Sequence, residues 1–125
     1  MSDIQVGDTA TLEHVVTQAD TAQAMGSGDV QVLATLRAIA WAEAATCAAV
    51  ADRLDVGETT VGSAIGVEHR APTQVGDVVV ATAVVAEFER GRALFDVTLV
   101  NPDGETALTG TVTRVVVDRS RFASG

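Results

Sequence analysis

A carboxylate, an imidazole and a hydroxyl stand out in this chain: Glu43, His69 and Thr35. On a helical wheel at about 100° per residue, Leu36, Ile39, Ala40, Cys47, Val50 and Leu54 form one apolar stripe, with Glu43 near its centre. Burying an unpaired carboxylate costs several kcal/mol, so a glutamate there implies partners and a task. His69 alternates with Val61, Ile65 and Val67 along a predicted strand over 59–71, and Thr35 stands at the predicted helix start. A helix laid on that strand face makes the three converge. An apolar setting that holds a carboxylate beside an imidazole shifts both pKa values, which is the setting of acid–base catalysis. Each residue also has a structural alternative. Thr35 could serve only as an N-cap, His69 as a satisfied core or interface histidine, and Glu43 as an interface salt-bridge partner.

The elements that must position these groups follow from the pattern. The 125 residues fit a single domain over 1–125, large enough for one core. With 47% hydrophobic and 3% aromatic residues, that core is built of Val, Ala, Leu and Ile. Residues 8–17 read as a first strand, and 18–30 (QADTAQAMGSGDV) as a mobile loop with little regular structure. A helix follows from about Leu36 to Leu54, with Thr35 as its N-cap, and Asp55-Val56-Gly57 stops it. Strands over 59–71, 77–89, 92–100 and 105–118 complete the chain, with a hairpin turn at Arg90-Gly91 and a turn at Asn101-Pro102-Asp103-Gly104. The last strand puts Leu108, Val112, Arg114 and Val116 on one face. The order describes an α+β arrangement, an antiparallel five-stranded sheet wrapped around one long central helix. One helix cannot cover such a sheet, and sheet edges are adhesive, so the sheets are expected to join in a dimer. This is the pattern of the hot-dog fold.

Composition excludes several classes. A net charge of −9 argues against general nucleic-acid binding. All eight cationic residues are Arg, six of them in the second half, which suits a local anion site or reflects compositional bias. No apolar run approaches the roughly 18 residues of a membrane span, and the N-terminus carries no secretory pattern. The single Cys47 excludes an intramolecular disulfide and suits a reducing cytoplasm; its place on the stripe reads as a packed small hydrophobe. Two histidines and one cysteine show no metal-ligand spacing, so no metal is expected. His14, beside Glu13, reads as structural or interfacial.

Three stretches carry a family likeness: GSGDVQVLAT (26–35) followed by Trp41-Ala42-Glu43, TTVGSAIGVEHRAPTQVGD (59–77), and LTGTVTRVVVDRSRF (108–122). Together they resemble the fluoroacetyl-CoA thioesterase-like hot-dog proteins over nearly the whole chain. The resemblance implies hydrolysis of a small acyl-CoA thioester to free acid and CoA by Thr35, Glu43 and His69, with CoA present only as part of the substrate and no separate cofactor. It places Gly62 and Arg114 near the acyl group. In the namesake a Phe-containing lid precedes the threonine, whereas here the segment is DTAQAMGSGD, so the fluoroacetyl specificity does not carry over. Leu36 stands where many relatives have Pro after the Thr.

A thioester carbonyl needs an attacking group, a proton manager and oxyanion donors. The resemblance makes Glu43 the general base or the nucleophile, His69 the proton manager, and Thr35 a hydrogen-bonding partner or, given an adjacent base, a nucleophile. Helix-start N–H groups would hold the oxyanion. Gly62 would allow close approach of substrate, and Arg114 would pair a carboxylate or contact the acyl end. Arg70 is a candidate for the CoA phosphates, as are Arg90 and Arg92. The expected assembly is a homodimer or a dimer of dimers. Alternatives are a non-catalytic acyl-CoA-binding protein, or an acyl-CoA hydratase or dehydratase on the same fold.

Overall fold

Alternation of buried and exposed residues organises the strands of the computed structural model, which describes residues 2–123. Strands β1 (Thr9–Val15), β2 (Glu58–His69), β3 (Val78–Glu89), β4 (Arg92–Val100) and β5 (Thr106–Asp118) form one antiparallel sheet in the order β1-β3-β4-β5-β2. The main helix spans Thr35–Val50 and continues as a 3-10 turn through Ala51–Arg53. It is called α2, after a four-residue helix α1 (Ala22–Met25); a short α3 (Arg119–Ala123) follows the last strand. All five strands touch α2, with β1 and β3 supplying most of the packing and β2 little. The core is the inner face of β3 (Val79, Ala81, Ala83, Val85) and of β4 (Ala93, Phe95, Val97, Leu99), with Leu108 and Val112 of β5. At the Arg90-Gly91 turn both residues have positive φ, 54° and 77°, as a two-residue hairpin requires.

Three expectations change. First, α2 turns a different face to the sheet. Ala38, Ala42, Ala45, Thr46 and Val50 are buried, whereas Leu36, Ala40 and Cys47 are exposed. Small residues let the helix lie close against the strands; of the stripe, Val50 is buried and Ile39 and Leu54 pack partly against the core, while Leu36, Ala40 and Cys47 face away, so Cys47 is not packed. Second, the N-cap is Ala34, not Thr35. Thr35 is the first helical residue, and its hydroxyl bonds a histidine instead of the helix backbone. Third, 18–30 holds regular structure. Thr17 and Asp20 close a capping box around a 3-10 turn, and Thr21 Oγ1 accepts from Ala24 N–H to start α1. These caps are made by small polar residues that read in sequence as loop.

A bulge in β2 decides which side chains meet the helix. Gly62 pairs with Arg114, but Ala64 pairs with Thr113, leaving Ser63 as the extra residue. Strict alternation groups Val61 with Ile65, Val67 and His69. The inserted residue instead puts Thr60 and Gly62 on the same inner face as His69 and turns Val61 outward, because a one-residue shift flips every side chain.

Candidate active site

Two polar pairs line the flank of α2 that faces β2. At the helix start, Thr35 Oγ1 lies 2.8 Å from His69 Nδ1 at the end of β2. The other ring nitrogen, Nε2, is buried without a hydrogen-bond partner among the described residues. Burial lowers the pKa of this imidazole below its usual 6.5, so the neutral ring dominates at pH 7. A threonine hydroxyl against a neutral imidazole can be oriented by it or can lose its proton to it. The adjacent base that a nucleophilic Thr35 requires is therefore present. The N–H groups of Thr35, Leu36 and Arg37 precede the first α-helical bond, Ala38 N–H to the Ala34 carbonyl (3.0 Å), and so offer donors at the same spot.

Glu43 forms the second pair. Its Oε2 accepts from Arg114 Nη1 at 3.3 Å. Arg114 is 7% exposed and is fixed by two further bonds, Nε to Thr60 Oγ1 (2.9 Å) and Nη2 to the Thr60 carbonyl (3.1 Å). Gly62 leaves room for this pair: a Cβ there would stand 2.7 Å from Glu43 Oε2. Gly62→Ala is accordingly expected to push the carboxylate aside, reducing turnover about tenfold by misplacement with a small change in thermal midpoint; steady-state kinetics beside a melting curve checks it. Arg114→Met leaves the glutamate unpaired. Because the Glu43 side chain is one-third exposed, water relieves part of the penalty, and a loss of roughly 1–3 kcal/mol is expected in urea unfolding.

The pairs are separate within one chain. Eight residues of helix put Thr35 and Glu43 about 12 Å apart along the axis, and no hydrogen bond among the described residues joins Glu43 to Thr35 or His69. The expected convergence of all three thus resolves into Thr35 with His69, and Glu43 with Gly62 and Arg114. Thr60, which anchors Arg114, escaped the sequence reading; only the bulge turns it inward.

Other candidates fall outside these pairs. Arg70 is exposed beside His69, with its guanidinium on Glu68 Oε1 at 2.7 and 3.0 Å. Arg90 and Arg92 line a hairpin groove together with Glu87 and Glu89. His14 stacks on Trp41 with ring centroids 4.5 Å apart, a structural role on the β1 side of the helix. No group of His, Cys, Asp or Glu among the described residues could hold a metal. Among the described residues no helix is long and apolar enough to cross a membrane. A cavity of about 480 Å³ opens beside Thr35 and His69, walled by α1, the 27–33 segment and the first turn of α2.

A sheet around one helix, with its polar groups along the helix flank, is the hot-dog architecture of acyl-CoA thioesterases. Solved structures share it over nearly the whole chain. A variant of a fluoroacetyl-CoA-specific thioesterase with a phenylalanine replaced by alanine is 27% identical, with 99% of this chain and 96% of that one covered and a TM-score of 0.90. The same variant has been solved with fluoroacetate and CoA. A Thermus thermophilus protein described as a thioesterase superfamily member is 26% identical, with coverages of 99% and 91% and a TM-score of 0.91. A hot-dog-like protein from Thermanaerovibrio acidaminovorans shares the fold at 23% identity, with coverages of 95% and 87% and a TM-score of 0.86. The family model for fluoroacetyl-CoA-specific thioesterases matches residues 16–120, and the chain belongs to that family. It is a thioester hydrolase acting on acyl-CoA. No curated protein matches the sequence.

Proposed function

We propose that this thioesterase cleaves a small acyl-CoA with Glu43, His69 and Thr35, working as a homodimer whose sites are shared between subunits. The carrying observation is the Thr35–His69 bond of 2.8 Å at a helix start that borders a cavity. In this reading Glu43 takes a proton from water as its oxygen bonds to the thioester carbon. Helix-start N–H groups receive the developing oxyanion. The proton held by Glu43 passes to the neutral His69, and as the C–S bond breaks the imidazolium N–H protonates the departing thiolate, so water plus thioester yields acid plus free CoA thiol. Thr35 orients the imidazole, Gly62 leaves room for the Glu43 carboxylate at the reacting centre, and Arg114 holds Glu43 in place. Arg70, next to His69, is the candidate for the CoA phosphates. A single free cysteine suits a cytoplasmic setting.

Sharing of the site follows from the separation within one chain. On β2, an edge strand, residues 62–66 are exposed as an unbroken run, and such an edge is a template for pairing. Antiparallel pairing with a second copy about a twofold axis near the run brings the Gly62–Glu43 end of one subunit alongside the Thr35–His69 end of the other.

The test is thiol release from a panel of acyl-CoAs. Release that disappears in His69→Ala supports the assignment, and binding without release from any member would defeat it. The kcat/KM profile is expected to fall on the acid side with an apparent pKa below 6.5, since the neutral imidazole is the working form. His69→Gln should remove that limb. The sign for stability agrees. The unfolded chain binds the His69 proton more tightly, so this contribution is complete above 6.5 and is lost as pH falls through the lowered folded value; chemical unfolding at several pH values reads it out.

A further inference from the structure

We infer that the acyl group selected by this site is an uncharged aliphatic chain longer than acetyl, of the butanoyl-to-hexanoyl kind. The inference rests on the thioesterase reading with Thr35 and His69 at the reacting carbon. The cavity beside that pair is about 480 Å³, within the roughly 300–1,000 Å³ of small-molecule pockets. Its apolar walls are all aliphatic: Ala22, Val30, Val32, Leu33, Leu36 and Ile39. A relative specific for fluoroacetyl-CoA has been solved with a phenylalanine replaced, but in this chain no phenylalanine precedes Thr35; the three stand at 88, 95 and 122. The space is kept open by small residues. A Cβ on Gly28 would already meet Ala22 Cβ at 3.4 Å, so a bulkier side chain at either position would occupy it.

The walls are also pinned. Ala22 N–H donates to the Val32 carbonyl (2.9 Å), Gln23 N–H to the Val30 carbonyl (3.1 Å), and Leu33 N–H to the Thr73 carbonyl (2.9 Å). Asp20, buried, accepts at Oδ2 from Thr17 and holds Arg37 of α2 at 3.0 Å through Oδ1. A pinned aliphatic wall rewards each methylene it covers, whereas acetyl leaves most of it unused. Charge restricts the choice further. Asp29 lines the cavity and no Arg or Lys of the same chain does, so an acyl group ending in a carboxylate meets like charge from this wall.

The experiment compares kcat/KM for acetyl-, butanoyl-, hexanoyl- and succinyl-CoA by thiol release, in the native chain and in Val30→Phe. Val30 lines the cavity yet is more than half exposed, so the substitution fills space without disturbing the core. Each added methylene up to hexanoyl should raise kcat/KM about two- to fourfold, and succinyl-CoA should fall about a hundredfold below butanoyl-CoA. Val30→Phe should lower the hexanoyl-to-acetyl ratio about tenfold. A profile that declines from acetyl upward, or a ratio unmoved by Val30→Phe, overturns this inference and leaves the thioesterase reading standing. No release from any of the four overturns both.

Discussion

Glu43→Gln is expected to reduce kcat for thioester hydrolysis by roughly 10²–10⁴, the range of a lost general base, with KM and fold retained. The amide has nearly the same shape as the carboxylate and still accepts from Arg114 Nη1, which lies 3.3 Å from Oε2. The Arg114 bonds to Thr60 do not involve Glu43 and persist. What the amide loses is the capacity to take a proton. Were Glu43 only an ion-pair partner, the same substitution would weaken the fold modestly and leave kcat near native. Steady-state kinetics with a urea titration separates these outcomes. Turnover in ¹⁸O-labelled water distinguishes base from nucleophile. An anhydride opened by water at its glutamyl carbonyl deposits label in the Glu43 carboxylate, detectable by peptide mass; general-base catalysis puts it only in the released acid.

Sequence periodicity exposed the architecture because the strands β3 and β4 alternate cleanly and the turns at Arg90-Gly91 and Asn101–Gly104 are strong local signals. It flagged Glu43 by a stripe that the structure splits: Val50 is buried in the core, whereas Leu36, Ala40 and Cys47 are exposed. Wheel geometry finds an apolar face without saying what covers it, and here the alanines at 38, 42 and 45 are the buried side. The Thr60 anchor of Arg114 and the opening at Gly62 depend on the bulge at Ser63. One residue inserted in a strand leaves no mark on its alternation until the opposing strand is known. Thr35 sits at the helix end that its sequence position indicates, but its hydroxyl meets His69 and not the helix backbone, since Ala34 takes the cap position and needs no side-chain bond. Likewise the 17–34 segment reads as small and polar, and only its caps and its backbone bonds to 73 and 74 make it a wall.

Two inactive chains should restore each other. His69→Ala and Glu43→Gln, each carrying a different affinity tag, are co-expressed and the mixed dimer isolated by both tags. With sites shared across the dimer axis, one site of the mixed dimer receives both lesions and the other receives none. That native site should return about half of the wild-type kcat per dimer, as twofold symmetry dictates. Were each site built from one chain, both would keep one lesion and the mixed dimer would stay as inactive as its parents. The roughly 12 Å along α2 between Thr35 and Glu43 favours the first outcome, because a proton cannot pass directly between groups so far apart, whereas a catalytic base must reach its proton within hydrogen-bond range. The same design locates the pairing edge. Ile65, 43% exposed on β2, sits within the run 62–66, and Ile65→Arg in either chain should abolish both the mixed dimer in sedimentation and the recovered activity. Recovery that survives a fully monomeric Ile65→Arg protein would exclude β2 pairing as the source of the shared site.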